Sequence, residues 1–303
     1  MLLLAATPDG LYRVDLDNET QVLDADVRAV RVAEGTAYAV TSDGLLESTD
    51  AGKTWRHCAL PMSDVHSVEP GENLLAGVRP LTVYRRTDGW TTLEGLCDLA
   101  SREGWPTPSF RDDAWARTLA TDGDRVLVGV EVGGLAVRDE DGTWRSAGPA
   151  EENPQAAQRR DDVHHVAVRS RGEWVLGTGD GAFYTTDAGE TWTRLDTGTR
   201  RYCRETCSVG ERLYVGVNAS PPRWNPPDAA VYAGPPGDLR RVRYPGGRER
   251  FVVSWASDGD IVYAGANDGT ILRFDGRNSE TVASVPVSEV ARTAYGVRSL
   301  AVV

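Results

Sequence analysis

"STDAGKTW" at residues 48–55 and "TTDAGETW" at residues 185–192 are two copies of one sequence turn. Ser48 and Asp50 are residue types that accept hydrogen bonds from nearby backbone N–H groups, and Gly52 can adopt the positive φ of a tight turn. Short apolar stretches flank both copies, and Trp55 provides a large ring for packing. The pattern therefore predicts a structural hairpin turn rather than a catalytic acidic site.

Both copies belong to a repeat of strands and Gly/Asp turns that runs along the chain. Each unit holds three or four short strands of alternating pattern with no helical period, which is typical of a β-propeller blade. The sequence predicts an all-β fold in which residues 1–303 form a single seven-bladed β-propeller. The predicted blades are 1–24 with 297–303, 27–60, 65–96, 115–148, 163–197, 202–245 and 251–286.

The first of these blades is split between the two ends of the chain. "VRSLAVV" at 297–303 matches a first strand, whereas "MLLLAATPDGLYRV" at 1–14 matches the second and third strands. We expect the C-terminal strand to pair with the N-terminal blade and close the ring. Closure removes the sheet edges that would otherwise pair with other chains.

The turn resembles the Asp-box of sialidase-like (BNR repeat) propellers, S/T-x-D-x-G-x-T-W, a family often labelled glycosyl hydrolase. The photosystem II assembly factor propellers are more distant in resemblance. In this family the turn is structural and lies away from the ligand face. The resemblance implies that role for Ser48, Asp50, Gly52, Trp55, Thr185, Asp187, Gly189 and Trp192. A calcium loop of the EF-hand type needs further oxygen ligands and a late Glu, which both copies lack.

Composition limits the classes of partner. The chain has 45 acidic and 33 basic residues, and Lys53 is its only lysine. A net negative field repels phosphate, so we expect no nucleic-acid or membrane partner. Such an acid-rich surface is typical of salt-adapted organisms. The first residues are too short an apolar run for a signal peptide or membrane span, which predicts a soluble, cytoplasmic monomer.

The four cysteines do not have the paired spacing of a metal site. His164, His165, Cys203 and Cys207 fall on neighbouring predicted strands, but the two cysteines are four residues apart on one strand. Their separation of about 13 Å is too large for one zinc ion. Phosphate loops and dinucleotide motifs are absent, so we expect neither a metal nor a cofactor.

Aligning the blades on their first strands places Arg or His at one position in six of the seven. The residues at this position, here called the channel ring, are Arg28, His66, Arg117, His164, Arg204, Val253 and Arg298. The innermost strands of a propeller surround its central channel, so these cations are expected to converge on an acidic ligand. The alternative is a structural ring neutralised by Asp26, Asp64 and Asp162, each two residues before a ring cation. Arg117, Arg204 and Arg298 lack such an Asp and are therefore the foremost ligand candidates.

One long loop adds two further ligand candidates. Residues 218–230 form a proline-stiffened insertion in the sixth blade that carries Arg223 and Trp224. Long ordered loops in compact folds are often functional, and an Arg–Trp tip is suited to cap the channel. Segments 99–115 and 149–162 are either further functional loops or tolerated surface insertions.

The family resemblance also implies a possible glycosidase. Sialidase-like hydrolysis needs an arginine cluster, a Tyr–Glu nucleophile pair and an acid/base Asp. The candidates are Glu131, Asp162, Tyr202 and Glu205. The family's F/Y-R-I-P motif is missing, and seven blades are predicted where sialidases have six. The sequence therefore favours a non-catalytic propeller that binds an acidic small molecule, a carbohydrate or an acidic peptide, with a protein partner as a further option. A sialidase-like glycoside hydrolase is the alternative.

Overall fold

Seven four-stranded antiparallel sheets make up the fold in the computed structural model. The structure describes residues 2–303 except 16–17, 106–112, 132, 151–158, 222–227, 277 and 294. Several strands, such as Leu3–Thr7 and Leu74–Val78, are buried along their whole length rather than at alternate residues. The predicted seven-bladed propeller is confirmed.

Each sheet is one blade, with its innermost strand at the channel. Blade 1 contains β28 (Ser299–Val302), β1 (Leu3–Thr7), β2 (Gly10–Val14) and β3 (Glu19–Leu23). Blade 2 contains β4 (Val27–Ala33), β5 (Thr36–Thr41), β6 (Gly44–Ser48) and β7 (Arg56–His57). Blade 3 contains β8 (Val65–Glu69), β9 (Leu74–Val78), β10 (Thr82–Arg86) and β11 (Trp90–Thr92). Blade 4 contains β12 (Trp115–Asp122), β13 (Arg125–Glu131), β14 (Gly134–Arg138) and β15 (Trp144–Ser146).

The remaining three blades follow the same order from the channel outward. Blade 5 contains β16 (Val163–Ser170), β17 (Glu173–Thr178), β18 (Gly181–Thr185) and β19 (Thr193–Arg194). Blade 6 contains β20 (Tyr202–Val209), β21 (Arg212–Asn218), β22 (Ala230–Gly234) and β23 (Arg240–Val242). Blade 7 contains β24 (Val252–Asp258), β25 (Ile261–Ala266), β26 (Thr270–Phe274) and β27 (Ser279–Ser284).

Short helices occur only between strands in the part of the chain that the structure describes. They include α1 (Leu96–Arg102), α2 (Glu289–Thr293) and a 3₁₀ turn at Gly247–Glu249. None of the helices among the described residues is long and apolar enough to cross a membrane.

The ring closes through the two ends of the chain, as predicted. β28 pairs antiparallel with β1, and the register runs from Leu3 opposite Val302 to Ala6 opposite Ser299. The backbone N–H of Arg298 adds a hydrogen bond to the Ala6 carbonyl at 2.8 Å. The C-terminal strand is therefore the innermost strand of blade 1.

The hydrophobic core lies between the blades. Each of the seven interfaces between neighbouring blades holds its own cluster of buried side chains. Between blades 1 and 2, for example, Leu4 packs in one cluster with Val30 and Leu46. Since each blade buries both of its faces against its neighbours, the stability of every blade depends on the closed ring.

The turn at residues 48–55 connects the third strand of blade 2 to the fourth. The Asp50 carboxylate accepts hydrogen bonds from the backbone N–H groups of Lys53 at 3.1 Å and Thr54 at 2.9 Å, and from the Thr54 hydroxyl at 2.7 Å. Gly52 has φ 78° and donates to the Ser48 hydroxyl at 3.0 Å. These bonds satisfy the backbone of the turn, as the sequence predicts.

The turn at residues 185–192 repeats this arrangement in blade 5. Asp187 accepts hydrogen bonds from the backbone N–H of Thr191 at 2.9 Å and from its hydroxyl at 2.5 Å. The Trp192 indole donates to the Ala147 carbonyl of blade 4 at 2.7 Å and packs in the cluster between the two blades. Both turns make local hydrogen bonds of the kind that the sequence predicts, and both lie at the periphery, between the outer strands.

Candidate functional site

A β-bulge lies at the channel-ring position of the inner strands. In β4 the pairing with β5 passes from Val27 to Ala29 and leaves Arg28 without a partner residue. The pairing shifts in the same way at His66, Arg117, His164 and Val253. In β20 the shift spans Arg204 and Glu205, two consecutive residues opposite a single one. A bulge bends the strand and redirects a side chain, so it allows the ring residues to reach the channel.

In five of these six blades a glycine on the second strand lies opposite the bulge, and sequence reasoning missed it. The five are Gly77, Gly129, Gly177, Gly216 and Gly265. A Cβ at Gly265 would lie 2.4 Å from Val297 Cγ1 of blade 1, closer than atoms can pack. In the sequence of each of these five blades, a glycine directly follows a Val, Leu or Ala of the second strand. This recurrence is the sequence signal that could have indicated the close approach between blades.

The seven ring residues line one cavity of about 360 Å³ in the channel. Trp115 and Tyr295 form aromatic parts of its wall, and both are nearly buried. The Trp115 ring lies 5.2 Å from the His66 ring. The alignment of the blades therefore identified side chains that share one cavity, although their part in ligand binding remains a prediction.

Carboxylates neutralise most of the ring, and they do so between blades. Asp64 of blade 3 accepts a hydrogen bond from Arg28 of blade 2 at 2.6 Å, while Asp26 of blade 2 pairs with Arg298 of blade 1 at 2.5 Å. Asp162 of blade 5 likewise pairs with Arg117 of blade 4 at 2.9 Å. Each Asp therefore binds the arginine of the preceding blade.

Arg117 and Arg298 have no Asp two residues before them, yet carboxylates from elsewhere in the ring bind both. Arg117 binds both Asp162 and Glu131, and Arg298 binds Asp26. Sequence comparison within one strand could not reveal these pairs because their partners come from the next blade or the next strand. Breaking a buried ion pair leaves an uncompensated charge in the interior. We therefore interpret these pairs as structural ion pairs that stabilise the fold.

Asp162 connects two ring positions. It lies 2.9 Å from Arg117 Nη1 and 3.0 Å from His164 Nε2, and His164 Nδ1 donates to the Cys203 carbonyl at 2.7 Å. Burial alone would raise the pKa of Asp162, but the charges of His164 and Arg117 hold it well below its usual range. Asp162 is therefore an ionised structural link and is poorly suited to donate a proton.

Arg204 differs from the other ring arginines. Its guanidinium lies 4.6 Å from the centre of the Tyr295 ring, a cation–π contact. Within the described residues, no carboxylate lies within 4.0 Å of it. Of the three ring arginines without a preceding Asp, Arg204 is therefore the one for which the described residues provide no carboxylate partner.

Tyr202 is unsuited to be a nucleophile. It is 3% exposed, and its hydroxyl shares a 2.9 Å hydrogen bond with that of Tyr295. Burial, and then the neighbouring Tyr295, raise the pKa of Tyr202 well above its usual value. A phenol that resists ionisation cannot attack a sugar as a phenolate.

Glu205 follows Arg204 in the same bulge and also lines the cavity. Its Oε2 accepts a hydrogen bond from the backbone N–H of Trp255 at 3.2 Å. Its Oε1 lies 3.6 Å from Arg31 and 3.5 Å from His165, longer than direct charged hydrogen bonds. Burial raises the pKa of Glu205 to about 7, although the charge of Arg31 opposes the shift.

His165 stays neutral at this part of the channel. Burial, together with the nearby charge of Arg31, lowers the pKa of His165 to about 3. Its Nδ1 accepts a hydrogen bond from the backbone N–H of Thr206 at 3.4 Å. Neutral His165 is therefore a polar group beside Glu205 and does not add a positive charge to that of Arg31.

The other predicted ligand residues, Arg223 and Trp224, lie outside the described residues. Among the residues the structure does describe, no three His, Cys, Asp or Glu side chains are placed to hold a metal ion. Cys203 and Cys207 are buried thiols, and burial raises the pKa of Cys207 to about 12.

Neither a family model nor a curated protein matches this sequence. Solved β-propellers do match the fold. YCF48 from Cyanidioschyzon merolae is 16% identical with a TM-score of 0.59, and the match covers 86% of this chain and 87% of that one. The GH74 xyloglucanase from Xanthomonas campestris is 15% identical with a TM-score of 0.59, over 93% of this chain and 46% of that one.

A third match is to part of a two component system. The extracellular domain of a hybrid two component system from B. thetaiotaomicron is 12% identical with a TM-score of 0.62, and the match covers 91% of this chain. This chain spans only 35% of that domain, about a third of its length. At such identities the likeness supports the propeller fold, which binding proteins and glycoside hydrolases share.

Proposed function

We propose that this propeller binds a small acidic molecule in its channel and is not itself a catalyst. The observation that carries the proposal is Arg204, which lines the cavity next to the neutralised arginines of the ring. A guanidinium presents a planar fork of donors that matches a carboxylate. An anion on Arg204 would complete the pairing that the other blades achieve internally.

The size of the cavity supports a small ligand. About 360 Å³ falls at the lower end of the range for small-molecule sites. Nearly buried Trp115 and Tyr295 add apolar surface beside the charged groups, so that a ligand with a short carbon skeleton is accommodated as well as its anionic group. A short acidic peptide end has the same chemistry; a solved YCF48 of the same fold is described as bound to a D1 peptide.

Glycoside hydrolysis is the second candidate. Glu205 favours it, because a carboxyl with a pKa of about 7 can donate a proton near neutral pH. A partner carboxylate is also needed, and both Asp162 and Glu131 are engaged by Arg117. Since both carboxylates are held in ion pairs with Arg117, neither is placed to act as the second catalytic carboxylate. Binding is therefore favoured over hydrolysis.

Thermal unfolding in citrate, phosphate and sialic acid at matched ionic strength tests the proposal. A ligand that binds only the folded state adds about 2.7 kcal/mol of stability at about 100 times its Kd. Over 303 residues this raises the Tm by about 4 °C.

Arg204→Met is the test variant, since it keeps the packing on Tyr295 and removes the charge. Arg240→Met is the matched control, because Arg240 is an exposed arginine on the outer strand of blade 6. We expect at least one anion to stabilise the wild type and the control but not Arg204→Met. Equal stabilisation of all three would reject the channel site, and turnover of a fluorogenic sialoside would place hydrolysis first.

A further inference from the structure

The bulge in β20 brings opposite charges to the same cavity. Arg204 and Glu205 are consecutive residues, and consecutive side chains of a regular strand point to opposite faces. Here both line the channel cavity, because together they stand opposite a single residue of β21. An anion in this cavity therefore shares it with the Glu205 carboxyl.

Glu205 is held less tightly than the other carboxylates of the channel. Asp26 and Asp64 bind arginines directly at 2.5 and 2.6 Å. The free oxygen of Glu205 is 3.6 Å from the nearest guanidinium nitrogen, that of Arg31. The Glu205 side chain is only 12% exposed, so water stabilises its negative charge poorly.

Side chains and backbone groups from the neighbouring strands determine how well the negative charge of Glu205 is stabilised. Among the described residues, Arg31 on β4 is the arginine within 4.0 Å of Glu205, and neutral His165 faces it from β16. The backbone N–H of Trp255 donates from β24, while Cys203 and Cys207 lie on the same strand as protonated thiols. Glu69 on β8 shares the charge of Arg31, and burial raises the pKa of Glu69 to about 7.

We propose that an anion enters the channel together with a proton, and that Glu205 carries this proton. The inference rests on the proposed function and adds its regulation. A carboxylate beside a bound anion is repelled by it, and protonation removes the repulsion. The protonated carboxyl then carries an O–H that can donate a hydrogen bond, while Oε2 keeps its bond to Trp255.

The pH dependence follows by linkage. Burial already raises the pKa of Glu205 to about 7, and a bound anion raises it further. Above about pH 7, each anion bound takes up one proton, so its affinity falls about tenfold for each pH unit. Below that pH, Glu205 is already neutral and affinity becomes independent of pH.

Calorimetric titration with sialic acid and with sulfate tests this, because both keep a fixed charge between about pH 6 and 9. For the wild type we expect the fall in affinity above neutrality. We also expect uptake of about one proton for each anion bound near pH 8, measured from the heats in buffers of different ionisation enthalpy. The wild type alone is sufficient for this measurement.

Glu205→Gln assigns the proton. The amide oxygen can still accept the bond from Trp255, so we expect a folded protein whose affinity is the same at every pH and exceeds the wild type at pH 9. Glu173→Gln, a partly exposed carboxylate on β17 outside the cavity, is the matched control and should behave as the wild type.

The outcomes separate the two proposals. Binding without proton uptake and without pH dependence overturns the coupling and leaves the anion site standing. The same pH dependence in Glu205→Gln as in the wild type overturns the role of Glu205. The absence of binding by both anions at every pH overturns the proposed function, and the coupling with it.

Discussion

Substitution of Gly77 by alanine tests how the blades approach each other. A Cβ at Gly77 would lie 2.3 Å from Ser67 Oγ, 2.7 Å from Ala116 Cβ and 2.8 Å from the Ala116 carbonyl oxygen. Ser67 cannot turn away without losing its 2.7 Å hydrogen bond to that carbonyl. The Ala116 backbone belongs to β12, so relief requires blades 3 and 4 to separate.

The magnitude follows from two costs and one gain. Overpacking of a close-packed core costs about 1 to 3 kcal/mol, and the strained hydrogen bond adds about 1 kcal/mol. The lower entropy of the unfolded alanine chain returns about 0.4 to 1 kcal/mol. We expect a net loss of about 2 to 3 kcal/mol, and since 303 residues have an unfolding entropy of about 0.6 kcal/mol/K, the Tm should fall by about 3 to 5 °C.

Differential scanning calorimetry of Gly77→Ala against Gly71→Ala measures the effect. Gly71 lies in the same blade, and a Cβ there meets nothing within 4 Å. The control should therefore melt within about 1 °C of the wild type. If Gly77→Ala melts together with the control, the blades are not held apart by the missing Cβ, and the reasoning is refuted.

Two further predictions concern the contacts between blades 4 and 5. Asp122→Ala should cost about 2 to 4 kcal/mol in urea unfolding, because it leaves the buried donors of Gly172 N and Trp174 Nε1 unsatisfied; a loss no greater than that of the exposed Asp124→Ala would contradict this. The pKa of Asp162 is lower folded than unfolded, so its contribution is complete above about pH 4 and is lost as the pH falls through the folded pKa. Asp162→Asn should therefore be less stable than the wild type at pH 6, with a difference that shrinks towards pH 3, and a constant difference would show that the ion pairs contribute nothing.

The fold was predictable from the chain because it is repeated. Seven copies of one strand pattern indicate seven equivalent blades arranged in a ring. The blade that is split between the two termini shows how this ring closes. The two Asp turns were predictable for a related reason. All the hydrogen bonds of Asp50 come from residues within four positions of it, so local sequence contains every partner.

The channel ring was predictable in position but not in charge. Alignment of the repeats identified the residue that reaches the channel in every blade, because equivalent positions in a symmetric ring share one environment. The partner of Arg117 lies 45 residues away in the next blade, and that of Arg298 lies 272 residues away. A single sequence contains no signal for contacts of this range.

The environment of Arg204 and Glu205 was decided by tertiary structure alone. A strand pattern places consecutive residues on opposite faces, and only the bulge against β21 brings both to one cavity. The raised pKa of Glu205 also depends on how seven blades together exclude water from the channel. The sequence therefore determined which side chains line the site, and the packing of the ring determined which of their charges are balanced.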